Sequence, residues 1–176
     1  MRPQNAATLC AFALTIITLY LLSFFSQIPV WSVFIAWACF FHIGGGADRV
    51  QAFGHIMQHM LLGAVAAWLS AIALLHNPFE AGLAQQLWGP VLIGFVIALL
   101  FSLGRLARFS ITPVIIYAYA SIFAYASTTG LFSLDVLLSL SLNNALLAVM
   151  LATSIGASAA YLNGMLIDLL SRQQRT

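Results

Sequence analysis

The chain has 176 residues, of which 62% are hydrophobic and 6% charged, with a mean hydropathy of +1.02 and a formal net charge of +2. A soluble domain carries about a quarter charged residues, so this inventory excludes a water-soluble globule and points to an integral membrane protein. There are no lysines, and the six arginines are scattered, so no basic patch exists that could hold nucleic acid.

Six apolar stretches approach the ~20 residues that a membrane-crossing helix needs. The first, Ala6 to Phe25, resembles a signal peptide in its opening but has no small-x-small cleavage site, and it reads as a retained helix. The second, Pro29 to Ile43, is short and ends in Gly44-Gly45-Gly46. The third runs from Gly54 to Leu75 and the fourth from Gln86 to Gly104; Asn77-Pro78 followed by Glu80 reads as a helix start before the fourth. The fifth, Pro113 to Ser127, has a similar start at Thr112-Pro113, and the sixth runs from Asn144 to Leu170. No alternating ten-residue segments of the β-barrel kind occur. Cys10 and Cys39 lie inside apolar runs and read as small hydrophobes, not as a disulfide. The expected fold is therefore all-α: one polytopic transmembrane domain over residues 1–176 with six transmembrane helices.

Six spans leave seven flanks. Arg2 lies on the first, Arg49 on the third, Arg105 and Arg108 on the fifth, Arg172 and Arg175 on the seventh, and the alternate flanks have none. By the positive-inside rule both termini are cytoplasmic. Helical spans imply an inner (cytoplasmic) membrane protein.

The two halves look alike, which predicts a 3+3 inverted repeat with units 6–75 and 86–170. Pro29-Val30 and Pro113-Val114 open spans two and five, and each is followed by aromatics alternating with alanines. Gln58-His59 and Asn143-Asn144 then precede stripes of small residues at four-residue spacing: Gly63, Ala67 and Ala71 in one, Ala148, Ala152, Gly156, Ala160 and Gly164 in the other. Such spacing puts small residues on one helix face, where helices in lipid approach closely. The pattern aligns Gly63 with Ala148, Ala67 with Ala152 and Ala71 with Gly156, and His59 with Asn144. An odd number of spans per unit inverts the second copy in the membrane.

Trp31-Ser32-Val33-Phe34-Ile35-Ala36-Trp37-Ala38-Cys39-Phe40-Phe41 followed by Gly44-Gly45-Gly46 resembles the YcdZ-like family of small bacterial inner-membrane proteins, a domain of unknown function numbered 1097. The resemblance implies a multi-span inner-membrane protein from a bacterium and brings no activity, cofactor or catalytic residue.

The polar and aromatic residues in or beside the spans are the candidates for a solute pathway: Gln58, His59, Asn143 and Asn144, the deep aromatics Trp37, Tyr117 and Tyr119, and His42 with the Gly44, Gly45 and Gly46 turn. Asn163 is a further hydrogen-bonding group inside a span. Each also has a structural reading: interhelical hydrogen bonding, packing, or a helix-ending turn. Asp168 and Arg172, four apart, read as a helix ion pair. His55 and His59 have metal-compatible spacing without a third ligand, so no metal or cofactor is expected. No nucleophile–base set occurs, so the chain is not expected to be an enzyme. Two functions remain: a channel or permease for a small neutral or weakly charged solute, or a non-transporting assembly protein that binds partner helices through its small-residue faces. The expected partners are membrane lipid, the solute, and further copies in a homo-oligomer.

Overall fold

A computed structural model describes residues 3–172. Arg2 and Arg175, two of the residues that fix the predicted orientation, lie outside it, as does the Arg172 side chain. The described residues form seven helices: α1 (Pro3–Leu22), α2 (Val30–His42), α3 (Arg49–Leu75), α4 (Gly82–Leu103), α5 (Thr112–Thr129), α6 (Leu134–Leu137) and α7 (Ala145–Arg172). A 3-10 turn, Ala107–Phe109, precedes α5.

The described residues are all helical in their regular structure, as a membrane protein's can be, and among them four helices, where the sequence predicts six spans, are long and apolar enough to cross a bilayer: α1, α3, α4 and α7. The α2 helix has 13 residues, which at 1.5 Å per residue is about 20 Å against a hydrocarbon core of about 30 Å. The α5 helix has 18 residues, but Tyr117, Tyr119 and Tyr125 and its Ser-Thr-Thr end dilute its hydropathy. The fourth helix starts five residues after Asn77. Asn77 Oδ1 instead accepts the Phe79 N–H (2.9 Å) and holds a loop turn.

The chain divides into two compact units, one of residues 1–57 and 151–176 and the other of residues 58–150. In the first unit α1 buries a stripe at four-residue spacing, Ala6, Cys10, Thr18 and Leu22, as a one-sided helix must. Leu22, Ile28, Val33 and Ala152 form a core cluster, with Val30 and Ile155 against it. The α7 helix meets α2 at Gly156: a Cβ there would fall on the carbonyl oxygen of Val33, with Ala36 Cβ 3.0 Å away. In the second unit α3 meets α5 at Gly63 in the same manner. A Cβ there would fall on the carbonyl oxygen of Ile115, with Ala118 Cβ 3.1 Å away. In lipid these backbone approaches give dispersion contact that a larger side chain would prevent.

The burial patterns carry the same correspondence. The buried residues of α2 are Ser32, Val33, Ala36, Trp37, Cys39 and Phe40; shifted by 82, the separation of Val33 from Ile115, each falls on a buried residue of α5, namely Val114, Ile115, Ala118, Tyr119, Ser121 and Ile122. Shifted by 93, the separation of Gly63 from Gly156, every buried residue of α3 from Ala52 to Ala71 falls on a buried residue of α7. The sequence pattern pairs Gly63 with Ala148, eight residues before Gly156. Alanine repeats every fourth residue in α7, so composition alone does not distinguish one turn from another; the close approach at Gly156 does.

Candidate functional site

The sequence-flagged residues divide between the units. Trp37, His42 and the Gly44–Gly46 turn belong to the first; Gln58, His59, Tyr117, Tyr119, Asn143 and Asn144 belong to the second. All eight small residues expected to pack helices, Gly63, Ala67, Ala71, Ala148, Ala152, Gly156, Ala160 and Gly164, are buried.

Several of the polar candidates hold connections. Asn144 stands just before α7. Its Oδ1 accepts the Leu146 N–H (2.9 Å), and its Nδ2 donates to the carbonyls of Leu137 (2.8 Å) and Ser139 (2.9 Å). Trp68 Nε1 donates to the same Leu137 carbonyl (2.8 Å), and the Tyr125 hydroxyl donates to Leu142 O (2.9 Å). Three side chains thus pin the segment between α5 and α7, whose backbone groups would otherwise stand unpaired beside lipid. His59, 1% exposed in mid-α3 and not at a helix end, accepts the Ile111 N–H at Nε2 (3.3 Å). Acceptance at Nε2 puts the ring proton on Nδ1. The Phe109 ring stands edge-on to His59 at 6.2 Å, so this residue secures the entry to α5.

The tri-glycine segment is a closed turn. Gly45 N–H bonds Phe40 O (2.9 Å), and the N–H groups of Ala47 and Asp48 both bond Gly44 O (2.9 and 3.1 Å). Gly44 has φ +94°, which favours glycine, and a Cβ on Gly45 would strike the Phe40 ring. Asp48 Oδ1 then accepts the Gln51 N–H (3.0 Å) and caps α3. His42 is exposed beside this turn and Asn143 is exposed at the other connection. Tyr117 is 51% exposed on the outside of α5, whereas Trp37 and Tyr119 are buried. The Tyr119 hydroxyl donates to Ser70 Oγ (3.2 Å). Among the described residues no three His, Cys, Asp or Glu side chains converge on a possible metal position.

Among the described residues, three buried polar atoms have no hydrogen-bond partner: Gln58 Nε2, Asn163 Oδ1 and Ser171 Oγ. Asn163 is 4% exposed. Asn163 and Ser171 are eight residues apart on α7, hence on one face of the same helix. Between them, Asp168 accepts from Arg49 Nη1 at 2.8 Å. The Arg172 side chain, which the sequence pairs with Asp168, lies outside the described residues. Gly164 leaves room for the Arg49 side chain that makes the bond: a Cβ there would stand 3.0 Å from Arg49 Cδ. Sequence reading noted Asn163 only in passing and missed Ser171; the i, i+8 spacing on the small-residue face was the available signal. An open, aliphatic groove of about 350 Å³ lies between α1 and α7, with Thr18, Ser154 and Ser158 among its lining residues. Its lining suits acyl chains better than a polar solute.

A family model described as "Protein of unknown function (DUF1097)" matches residues 8–167. No curated protein and no solved structure matches the chain. The match covers nearly the whole sequence and takes in all or most of every long helix, and on that ground the chain belongs to the DUF1097 family.

Proposed function

We propose that the protein is a small channel or permease for a neutral or weakly charged solute, built from two copies of a three-helix unit inverted in the membrane. The single observation that carries the reading is that α2 and α5, the 13-residue and 18-residue helices that are not among the four candidate spans, are each seated on a long helix by the same glycine contact. Inverted repeats of three helices are a recurring plan of transporter folds whose site lies at the repeat interface. In this reading α1, α2 and α3 correspond to α4, α5 and α7. Each compact unit then takes its long packing helix from the other copy: α7 packs with α2, and α3 with α5.

The unpaired amides support passage of a solute over a purely structural bundle, since buried polar groups in lipid are costly unless they pair or face a cavity. The arginine distribution supports cytoplasmic termini in a cytoplasmic membrane. The assembly alternative loses its main support, because the small-residue faces that were to bind partner helices are buried within the chain. The reading involves no reaction, cofactor or nucleic acid, and leaves lipid and a further copy as partners.

Stopped-flow swelling of proteoliposomes across a panel of small neutral and ionic solutes tests it. We expect one class of small neutral solute to pass faster than through empty liposomes, and Asn163→Leu to slow it. Folded protein with no permeability above empty liposomes would transfer the bet to assembly.

A further inference from the structure

We propose that the last two turns of α7, from Asn163 to Ser171, line a water-filled vestibule whose floor is the Asn163 carboxamide. Eight residues of helix make it about 12 Å deep. It deepens the transport reading at the same helix, but its test does not depend on flux.

Three observations converge on it. First, Asn163 Oδ1 and Ser171 Oγ are buried on one face without partners. An unsatisfied buried polar atom costs roughly 1–3 kcal/mol, and water admitted along that face would relieve it. Second, the Arg49–Asp168 ion pair stands between them in sequence, and its side chains are 25% and 44% exposed. A charged pair so exposed at this level of the helix needs water or headgroups around it. Third, seven residues deeper, Gly156 brings the backbones of α7 and α2 into direct contact. That contact leaves no room for water, so the vestibule ends between Asn163 and Gly156. The corresponding position in the other unit is closed by the bond from Tyr119 to Ser70.

Single cysteines read the vestibule directly. The thiolate reacts and the thiol does not, so a membrane-impermeant cationic thiosulfonate labels a cysteine only where water reaches it. The unmodified chain, whose Cys10 and Cys39 are buried, sets the background. Leu162→Cys is the depth-matched control, one residue from Asn163 and 49% exposed on the outer face of α7. We expect Ser171→Cys and Asn163→Cys to label from one side of sealed vesicles, Asn163→Cys at least about tenfold faster than Leu162→Cys, since a thiol in lipid does not ionise. Ile167→Cys, between the two on the same face, carries the same expectation should the Asn163 variant fail to fold. Labelling of Ser171→Cys with Asn163→Cys and Ile167→Cys no faster than Leu162→Cys would overturn the vestibule, whatever the swelling assay gives. Labelling without solute flux would leave the vestibule standing and remove the permease.

Discussion

In one unit the Tyr119 hydroxyl of α5 donates its proton to Ser70 of α3. At the corresponding positions of the other unit stand Trp37 of α2 and Asn163 of α7, and Asn163 Oδ1 has no partner. Around these positions the parts are the same: a short helix, a long helix, a glycine where their backbones meet, and a matching set of buried positions. The difference is therefore local. A small hydroxyl meeting a phenol makes a closed, dry contact. A carboxamide with an unmet acceptor does not, and under the proposed function that unit is where a polar molecule would enter.

The largest expected effects test the sameness. Gly63→Ala and Gly156→Ala each put a methyl group onto a backbone carbonyl that cannot rotate away, and overpacking of this kind costs about 3 kcal/mol. Unfolding in detergent or bilayer should give two losses equal to within about 1 kcal/mol, given the usual scatter of such values. A loss at only one glycine would break the correspondence between the units. Next in size, Asn144→Ala removes a cap and two carbonyl partners together and should cost about 2 kcal/mol. Asp48→Ala, which loses only the α3 cap, should cost about half as much. If the two cost the same, the connection before α7 is held by Trp68 and Tyr125, not by Asn144.

Much of this fold was legible in the sequence, and the failures have physical causes. The starts and ends of α2, α5 and α7 fall within a few residues of expectation, because Pro29, Thr112-Pro113 and Asn144 are punctuation that lipid-facing sequence rarely carries by chance. The count of spans was less secure, since an apolar run of 13 residues reads alike whether it crosses a bilayer or packs inside a protein. The glycine contacts favour a register between the halves eight residues from the one that the sequence suggests, because a stripe of alanines matches itself at every turn. Only a position where a Cβ would strike backbone, Gly156 against Val33, fixes it. The polar candidates were chosen for chemistry alone. His59 and Asn144 proved to hold connections through backbone groups fifty-two and seven residues away, and a sequence does not reveal which carbonyl an amide will reach. Asn163 stood out only once its neighbours were known.

Smaller effects probe the difference between the units. Tyr119→Phe deletes the bond to Ser70 and should cost about 1 kcal/mol. Arg49→Met removes an ion pair whose members are 25% and 44% exposed, and the loss should not exceed about 0.5 kcal/mol. A loss above that would mean that the pair is walled off from water, against the vestibule.

The smallest expected change is the most informative. Asn163→Leu replaces an amide with an alkyl group of similar length and removes an acceptor that has no partner in the protein. Were this position dry, the substitution would remove an unpaid desolvation penalty and stabilise the fold by roughly 1–3 kcal/mol. In a wet vestibule the oxygen is already hydrated, so its removal relieves nothing, and the leucine instead exposes apolar surface to water. Only that small exposure remains, and the expected change in unfolding free energy is within about 0.5 kcal/mol of zero. Ser70→Ala, at the corresponding position, should by contrast strand the Tyr119 hydroxyl and cost about 1 kcal/mol or more. Measured side by side, a stabilised Asn163→Leu would make both units dry and reduce their difference to side-chain size, whereas a neutral Asn163→Leu beside a destabilised Ser70→Ala keeps one unit closed and the other open to water.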